Sequence, residues 1–159
     1  MVINVGISDQ NIAHSPNVLV TYALGSCVGI CLYDKVNKIA GLAHILMPSS
    51  QHGKTESMPR RYADTAIPLL YKKMITAGAD AKRLTAKIAG GSEMYGTMRD
   101  SATPDIGAKN VQAVKEQLAL LHIPIIADDT HKNCARTLYF HAEDGSVRVK
   151  TDSCGEWTL

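Results

Sequence analysis

A thiol and an imidazole, Cys27 and His44, are the two side chains of this sequence best placed for chemistry. Cys27 immediately precedes the apolar, strand-like run Val28–Tyr33, and His44 lies in a second such run, Lys38–Met47. If residues 34–37 form a four-residue loop, the two runs make an antiparallel hairpin in which Cys27 faces His44. Directly opposed residues in such a pair have Cβ atoms about 4.5–5.5 Å apart. A thiol and an imidazole at that separation can act as the nucleophile and base of a cysteine hydrolase.

This pairing depends on the register of the hairpin. The predicted register pairs Tyr33 with Lys38 and Cys31 with Ala40, so we expect the Cys31 thiol to be inert. A slip of one residue would send His44 to the opposite face of the sheet. The loop also lacks the Asn-Gly or Asp-Gly signal that would fix the turn.

Each candidate residue has a structural interpretation beside the functional one. Free cysteine is among the most buried residue types, so Cys27 fits a core position. A lone histidine in an apolar strand, such as His44, fits a core residue with a hydrogen-bond partner. Thr21, in the run Val18–Tyr22, is the third candidate. Its β-branched shape suits a strand; in the functional interpretation its hydroxyl accepts a hydrogen bond from His44 and sets the tautomer. The residues alone do not separate the two interpretations of Thr21.

Glycines adjoin the candidate site in two places. Gly25 and Ser26 give the backbone freedom for a sharp turn before Cys27. Such a turn can expose the thiol and point amide N–H groups at a reacting oxygen. Gly90 and Gly91 follow another strand-like run and fit either a simple turn or a wall of the active site. A dinucleotide site is disfavoured because the GxGxxG pattern is missing.

Composition excludes several classes of function. The chain has 159 residues, a formal net charge of +2 and no long run of lysine or arginine, which argues against nucleic acid as a partner. No apolar stretch approaches the roughly 20 residues that cross a bilayer, and the first residues do not resemble a secretory signal. We therefore expect a cytoplasmic protein whose four cysteines are thiols. Their spacing does not match paired zinc ligands, so a metal site built with His44 or His131 is the weaker alternative.

Periodicity predicts a sheet-rich α/β fold in one domain, residues 1–159. Two amphipathic helices are predicted, Arg60–Ala77 and Ile106–His122, with Pro68 expected to kink or divide the first. Many strands with two helices predict a sandwich of two β-sheets with the helices covering one face. The predicted strands are Val2–Ile7, Val18–Tyr22, Val28–Tyr33, Lys38–Leu46, Leu84–Ala89, Pro124–Ala127, Thr137–Ala142 and Ser146–Lys150.

Several stretches carry a family resemblance. In chain order they are residues 21–34, containing Gly25-Ser26-Cys27, then 41–48, containing Ala43-His44, and then 61–68, 87–91, 106–111, 123–125 and 136–137. Over nearly its whole length the chain resembles CheD, the chemoreceptor glutamine deamidase family of bacterial chemotaxis. One segment departs from the family, which usually has a glycine-rich stretch where this chain has residues 130–135.

The resemblance implies a catalytic Cys27, a base at His44 and Thr21 as the residue that supports the histidine. It also implies a fold similar to deamidating toxin domains. The implied reaction converts chemoreceptor glutamine side chains to glutamate with release of ammonia, through a thioester on Cys27 and without a metal or organic cofactor. In this mechanism we expect backbone N–H groups around Ser26 and Cys27 to hold the oxyanion. Gly25, Ser26, Gly90 and Gly91 are the candidates for the oxyanion site or a wall of the active site.

The resemblance also implies partners. Members of the family bind the CheC phosphatase, which is linked to phosphorylated CheY, so a non-catalytic module that engages chemoreceptors and CheC is the alternative function. Hydrolysis of receptor methyl esters would use the same steps as a side activity. A thiol protease is disfavoured because nothing in the sequence indicates a cleft for an extended peptide.

Overall fold

The computed structural model describes residues 1–50, 58–94 and 105–159. In this part of the chain ten strands form two five-stranded sheets, accompanied by two helices. The elements are β1 Val2–Asn4, β2 Asp9–His14, β3 Val18–Leu24, β4 Val28–Asp34, β5 Ile39–Ile45, α1 Ala63–Thr76, β6 Thr85–Gly90, α2 Ile106–Leu120, β7 Ile125–Thr130, β8 Arg136–His141, β9 Val147–Thr151 and β10 Glu156–Thr158.

The two sheets pack face to face, and the helices cover the outer face of one of them. The first sheet has the order β1-β3-β8-β9-β10, and the second has the order β2-β5-β4-β6-β7. Leu70 of α1 and Val114 of α2 pack on the second sheet, while Leu42 and Leu138 belong to the core between the sheets. Every residue of β4 and β5 is buried because these strands are covered on both faces. This double covering explains why their sequences are continuous apolar runs.

The predicted α/β sandwich with helices on one face is confirmed, and all eight predicted strands are present. Two strands were missed: β2, which is largely polar, and β10, which has only three residues. The predicted division of the first helix is wrong, because α1 runs unbroken from Ala63 to Thr76 with Pro68 inside it. Buried residues on both sides of the proline, Ala66 and Leu70, hold the helix against the sheet. Neither described helix is long and apolar enough to cross a membrane.

The predicted register of the β4–β5 hairpin is also wrong, by two residues. Gly29 pairs with His44, and Cys31 pairs with Leu42. Cys27 therefore does not face His44 directly but lies one diagonal step away, just before the first residue of β4. A shift of two residues preserves the alternation of faces, so Cys27 and His44 still lie on the same side of the second sheet. That side faces the first sheet.

The register follows from the turn that Asp34 organises. The strand includes Asp34, and its carboxylate accepts hydrogen bonds from the backbone N–H groups of Val36 and Asn37. The same buried carboxylate accepts two bonds from the Arg83 guanidinium, at 2.9 and 3.0 Å, and one from the Asp80 N–H. The Arg83 guanidinium holds the pKa of the Asp34 carboxyl well below its usual range. The turn is thus held by two bonds from within its own loop and by three from Asp80 and Arg83, outside the hairpin.

Replacing Asp34 by Asn should lower the free energy of unfolding by about 2–3 kcal/mol at neutral pH, because bonds to a buried charge are lost. The folded-state pKa is depressed, so the contribution is complete above the ordinary carboxyl value near 3.9 and is lost as the pH falls below about 4. Urea denaturation at several pH values measures both effects. Asp144→Asn is the matched control, since the exposed Asp144 accepts a similar turn bond from the Ser146 N–H. Equal losses in the two variants would contradict a special role for Asp34.

Candidate active site

Thr21, Cys27 and His44 come together at one end of the space between the two sheets. Cys27 ends the turn that precedes β4, the central strand of the second sheet, and His44 is the penultimate residue of β5. Thr21 comes from β3 of the first sheet. All three are buried, with 7% of Cys27 exposed and none of Thr21 or His44. Cys27 lies one residue beyond the last β4–β5 pair, Val28–Ile45, on the same side of the second sheet as His44.

A chain of two hydrogen bonds fixes the tautomer of His44. The Thr21 hydroxyl donates to the backbone carbonyl of Val5 at 2.7 Å, and its oxygen lies 2.7 Å from His44 Nδ1. A hydroxyl has one proton to give, and here that proton is used by Val5. The Thr21 oxygen must therefore accept a hydrogen bond from Nδ1–H. The histidine proton resides on Nδ1, and Nε2 carries the free lone pair.

Nε2 of His44 is buried and has no hydrogen-bond partner among the described residues. An unpaired buried acceptor is unfavourable for folding alone, and such groups in native proteins call for an explanation. Burial lowers the pKa of His44 to about 4, so the ring is neutral at neutral pH. An imidazole that is neutral, fixed in one tautomer and free at Nε2 has a lone pair that can accept a proton.

The Cys27 thiol is also neutral in the resting site. Burial raises the pKa of the Cys27 thiol above its ordinary value. A hydrogen bond from the backbone N–H of Cys27 lowers this pKa, but by less than burial raises it. A neutral thiol beside a neutral imidazole avoids the desolvation that a buried ion pair would require. The geometry therefore favours transfer of the thiol proton to His44 during attack over a thiolate that is already formed.

The turn Gly25-Ser26-Cys27, called here the Cys27 turn, is held against residues 90–92. The carbonyl of Cys27 accepts a hydrogen bond from the Gly91 N–H at 2.8 Å, and that of Gly25 accepts one from the Ser92 N–H at 2.9 Å. Gly90 has φ +107°, and a Cβ on it would lie 2.3 Å from the Cys27 carbonyl oxygen. Only glycine fits this close approach. The structure thus places Gly90 and Gly91 beside the backbone of Cys27.

Sequence reasoning missed three polar residues that support this turn: Ser92, Asn110 and Arg136. Arg136 is 1% exposed and donates to the Ser92 hydroxyl at 2.8 Å and to the Asp129 carboxylate at 3.1 Å. Asn110 is fully buried on α2. Its spacing from Val114 places it on the apolar stripe of that helix, and a polar residue on such a stripe is the signal that would have found it.

The charge and tautomer of His44 can be measured directly. We expect ¹⁵N NMR to show a proton on Nδ1 and none on Nε2 at neutral pH, and a titration midpoint near pH 4, against the ordinary histidine value of about 6.5. The lowered pKa also means that the fold loses stability as the pH falls below about 6.5. The exposed His14 provides a reference signal in the same spectra. A proton on Nε2, or titration of His44 near pH 6.5, would contradict the assignment.

A buried thiol and a neutral imidazole of fixed tautomer are side chains that thiol-dependent hydrolases use as nucleophile and base. The described residues contain no group of three or more His, Cys, Asp or Glu side chains that could hold a metal ion. The protein is therefore an α/β sandwich with a candidate cysteine–histidine active site between its two sheets.

Comparison with known proteins identifies the family. Residues 46–151 match the family model described as CheD chemotactic sensory transduction. The chain is 46% identical over 153 residues to a Clostridium novyi protein, covering 96% of this chain and 94% of the relative. It is 45% identical to a Caldanaerobacter subterraneus protein (94% and 93% covered) and 45% identical to one from Syntrophomonas wolfei (98% and 96% covered). All three are named "Probable chemoreceptor glutamine deamidase CheD". The chain therefore belongs to the CheD family.

The family-model match begins two residues after His44, so Thr21, Cys27 and His44 lie outside it. The assignment of these three residues rests on their geometry and on the resemblance of residues 21–34 and 41–48. The expected similarity to deamidating toxin domains stays a prediction.

Proposed function

We propose that this chain deamidates glutamine side chains of chemoreceptors, with Cys27 as nucleophile and His44 as base. The observation that carries the proposal is the His44 ring, whose Nδ1–H is held by Thr21 and whose buried Nε2 has no partner among the described residues. Cys27 lies on the same face of the sheet, one diagonal step away. The names of the relatives supply the substrate class, a chemoreceptor glutamine.

In the first half of the reaction, His44 Nε2 takes the thiol proton as Cys27 Sγ attacks the carboxamide carbon. The carbonyl oxygen becomes an oxyanion in a tetrahedral intermediate. The imidazolium then gives its proton to the amide nitrogen, the C–N bond breaks and ammonia leaves. The product of this half-reaction is a thioester between Cys27 and the substrate.

In the second half, His44 takes a proton from water as the water attacks the thioester carbon. The C–S bond breaks, glutamate is released, and the proton returns to Cys27. The imidazolium exists only between proton transfers, when the Thr21 oxygen accepting from Nδ1–H stabilises its charge. Hydrolysis of a methyl ester at the same receptor sites would follow the same steps with methanol as the leaving group.

The Cys27 turn is suited to hold the oxyanion. In a trans peptide the C=O and N–H groups point in opposite directions. The carbonyl of Gly25 points to Ser92, and the carbonyl of Ser26 points to Asn110 on α2. The N–H groups of Ser26 and Cys27 consequently point away from these donors. They are the N–H groups that we assign to the oxyanion.

Exposed apolar side chains beside the site support a protein as the substrate. Tyr22, next to Thr21, is 52% exposed, and Met94 is 50% exposed. The Met94 side chain lies against the Cα of Gly25. A protein bound here would cover these two side chains and remove their apolar surface from water. We place the receptor and the CheC phosphatase, with its indirect link to phosphorylated CheY, at this border of the site, and we place the protein in the cytoplasm.

Cys27→Ala should abolish glutamine-to-glutamate conversion in a chemoreceptor cytoplasmic fragment, because the variant has no nucleophile. Peptide mass spectrometry of the fragment detects the conversion site by site. Cys31→Ala is the matched control: Cys31 is a buried thiol of β4, four residues after Cys27 and paired with Leu42, and burial raises its pKa to about 12. We expect Cys31→Ala to keep full activity.

Conversion by Cys27→Ala would contradict the mechanism. If wild type converts no glutamine but binds the receptor or CheC, the regulatory binding module becomes the better description of the protein.

Thr21→Val should reduce kcat about 10–100-fold, because it removes the acceptor that holds Nδ1–H and so impairs the general base. KM should stay close to the wild-type value, since Thr21 is buried away from the substrate. Thr21→Ser keeps the hydroxyl and should retain most of the activity. Steady-state kinetics on the same receptor fragment separate the two parameters. Equal rates for the valine and serine variants would remove Thr21 from the mechanism.

A further inference from the structure

One side chain, Asn110, joins the segment that carries Cys27 to the segment that carries His44. Its side-chain N–H₂ group donates to the backbone carbonyl of Ser26 at 2.9 Å and to that of Leu46 at 3.1 Å. Ser26 immediately precedes Cys27, and Leu46 lies two residues after His44. Both protons of one amide group are thus used to hold two separate parts of the candidate site.

These two segments lie beyond the end of the strand pairing. The β4–β5 ladder stops at the pair Val28–Ile45, so neither Cys27 nor Leu46 is held by a ladder bond across the hairpin. Other bonds hold each segment separately: the Gly91 N–H holds the Cys27 carbonyl, and the Leu46 N–H donates to Arg61. Among the described contacts, the amide of Asn110 is the one that ties the two segments to each other.

The helix that carries Asn110 is itself fixed. Val111 and Val114 of α2 belong to the core beneath the second sheet. Gly107 lets the helix start against residues 91 and 92, since a Cβ at Gly107 would lie 2.5 Å from the Ser92 carbonyl oxygen. An amide displayed from a rigid, closely packed helix holds its acceptors in place better than one displayed from a loop.

We propose that Asn110 is a positioning residue that keeps the Cys27 thiol within reach of His44 Nε2. The inference rests on the proposed function, because that function gives the Cys27 thiol and the His44 imidazole their catalytic roles. It is nonetheless independent of the substrate, because the coupling of a thiol to an imidazole can be measured on the free protein. Without the amide, the two carbonyls lose their shared donor, and the Cys27 turn keeps its bonds to Gly91 and Ser92, which do not reach the end of β5.

The chain offers a matched control in Gln10. Gln10 is also a buried amide, 5% exposed, that donates to a backbone carbonyl, that of Ala66 on α1, at 3.0 Å. Like Asn110 Oδ1, its Oε1 is buried without a partner among the described residues. Gln10→Ala therefore removes a similar group and a similar packing volume without touching the Cys27 turn.

The first experiment is the pH profile of iodoacetamide alkylation at Cys27, followed by peptide mass spectrometry, in wild type, Asn110→Ala, Asn110→Asp, Gln10→Ala and His44→Ala. We expect both Asn110 variants to react about 10–100-fold more slowly than wild type at neutral pH and to follow the profile of His44→Ala. Asn110→Asp keeps the shape of the side chain but lacks the N–H₂ donors, so it serves if the alanine variant folds poorly. Gln10→Ala should react like wild type.

The second experiment measures kcat and KM on the receptor fragment. Asn110→Ala and Asn110→Asp should lower kcat about 10–100-fold and leave KM within about twofold. If wild type does not deamidate the fragment but the Asn110 variants still lose the His44-dependent alkylation, the proposed function fails and the positioning role stands.

Three results would overturn the positioning role. The first is wild-type alkylation and kcat in both Asn110 variants. The second is a loss in Gln10→Ala equal to that in Asn110→Ala, which would mean a general effect of destabilisation. The third is an alkylation profile that His44→Ala leaves unchanged, because there would then be no coupling for Asn110 to maintain.

Discussion

The hydrogen bond between Thr21 and His44 joins one sheet of the sandwich to the other, so it forms only where the sheets approach closely. Gly29, the residue paired with His44, makes this approach possible. A Cβ on Gly29 would lie 2.8 Å from Cδ1 of Leu138 and 3.1 Å from Cδ1 of Leu24, both from the first sheet. Four residues further along β4, the sheets are separated by an aromatic pair, Tyr33 and Phe140, with ring centroids 6.0 Å apart. β4 thus has a glycine at the position where the two sheets must approach closely for Thr21 to bond to His44.

Placing the site between two sheets determines its electrostatics. Burial disfavours charge on both partners, raising the pKa of the Cys27 thiol and lowering that of the His44 imidazolium. Many reactive cysteines are thiolates stabilised by a neighbouring cation, whereas this thiol rests in its protonated form. Its reactivity therefore depends on transfer of the thiol proton to His44 while Sγ attacks an electrophile.

The elements could be predicted from sequence because their patterns are local, whereas the exact pairing could not. Apolar runs with turn signals located the eight main strands, and the alternation of side chains kept Cys27 and His44 on one face even though the register was wrong by two residues. The true register depends on Asp34, which is held by Asp80 and Arg83 from a distant part of the chain. No local pattern in the hairpin contains that information. The hydrogen bonds of Asn110 could not be predicted for the same reason, since their acceptors, the carbonyls of Ser26 and Leu46, lie 84 and 64 residues away along the sequence.

The segment 130–135 shows how residues other than glycine can hold a glycine-like backbone. His131 and Lys132 both have positive φ angles, 70° and 60°, a conformation that glycine adopts more readily than other residues. Side-chain contacts offset the strain: the Lys132 ammonium lies 3.0 Å from the Asp129 carboxylate and 4.3 Å from the Trp157 ring centroid.

The backbone of the segment 130–135 is also connected to the candidate site. The carbonyl of His131 accepts hydrogen bonds from Arg136 at 2.9 Å and from the Ser92 hydroxyl at 3.1 Å. The N–H of that same Ser92 holds the carbonyl of Gly25 in the Cys27 turn. The segment 130–135 is therefore connected through one residue, Ser92, to the Cys27 turn. Its conformation is set by tertiary contacts, which can preserve the backbone path that the turn requires while the loop sequence varies.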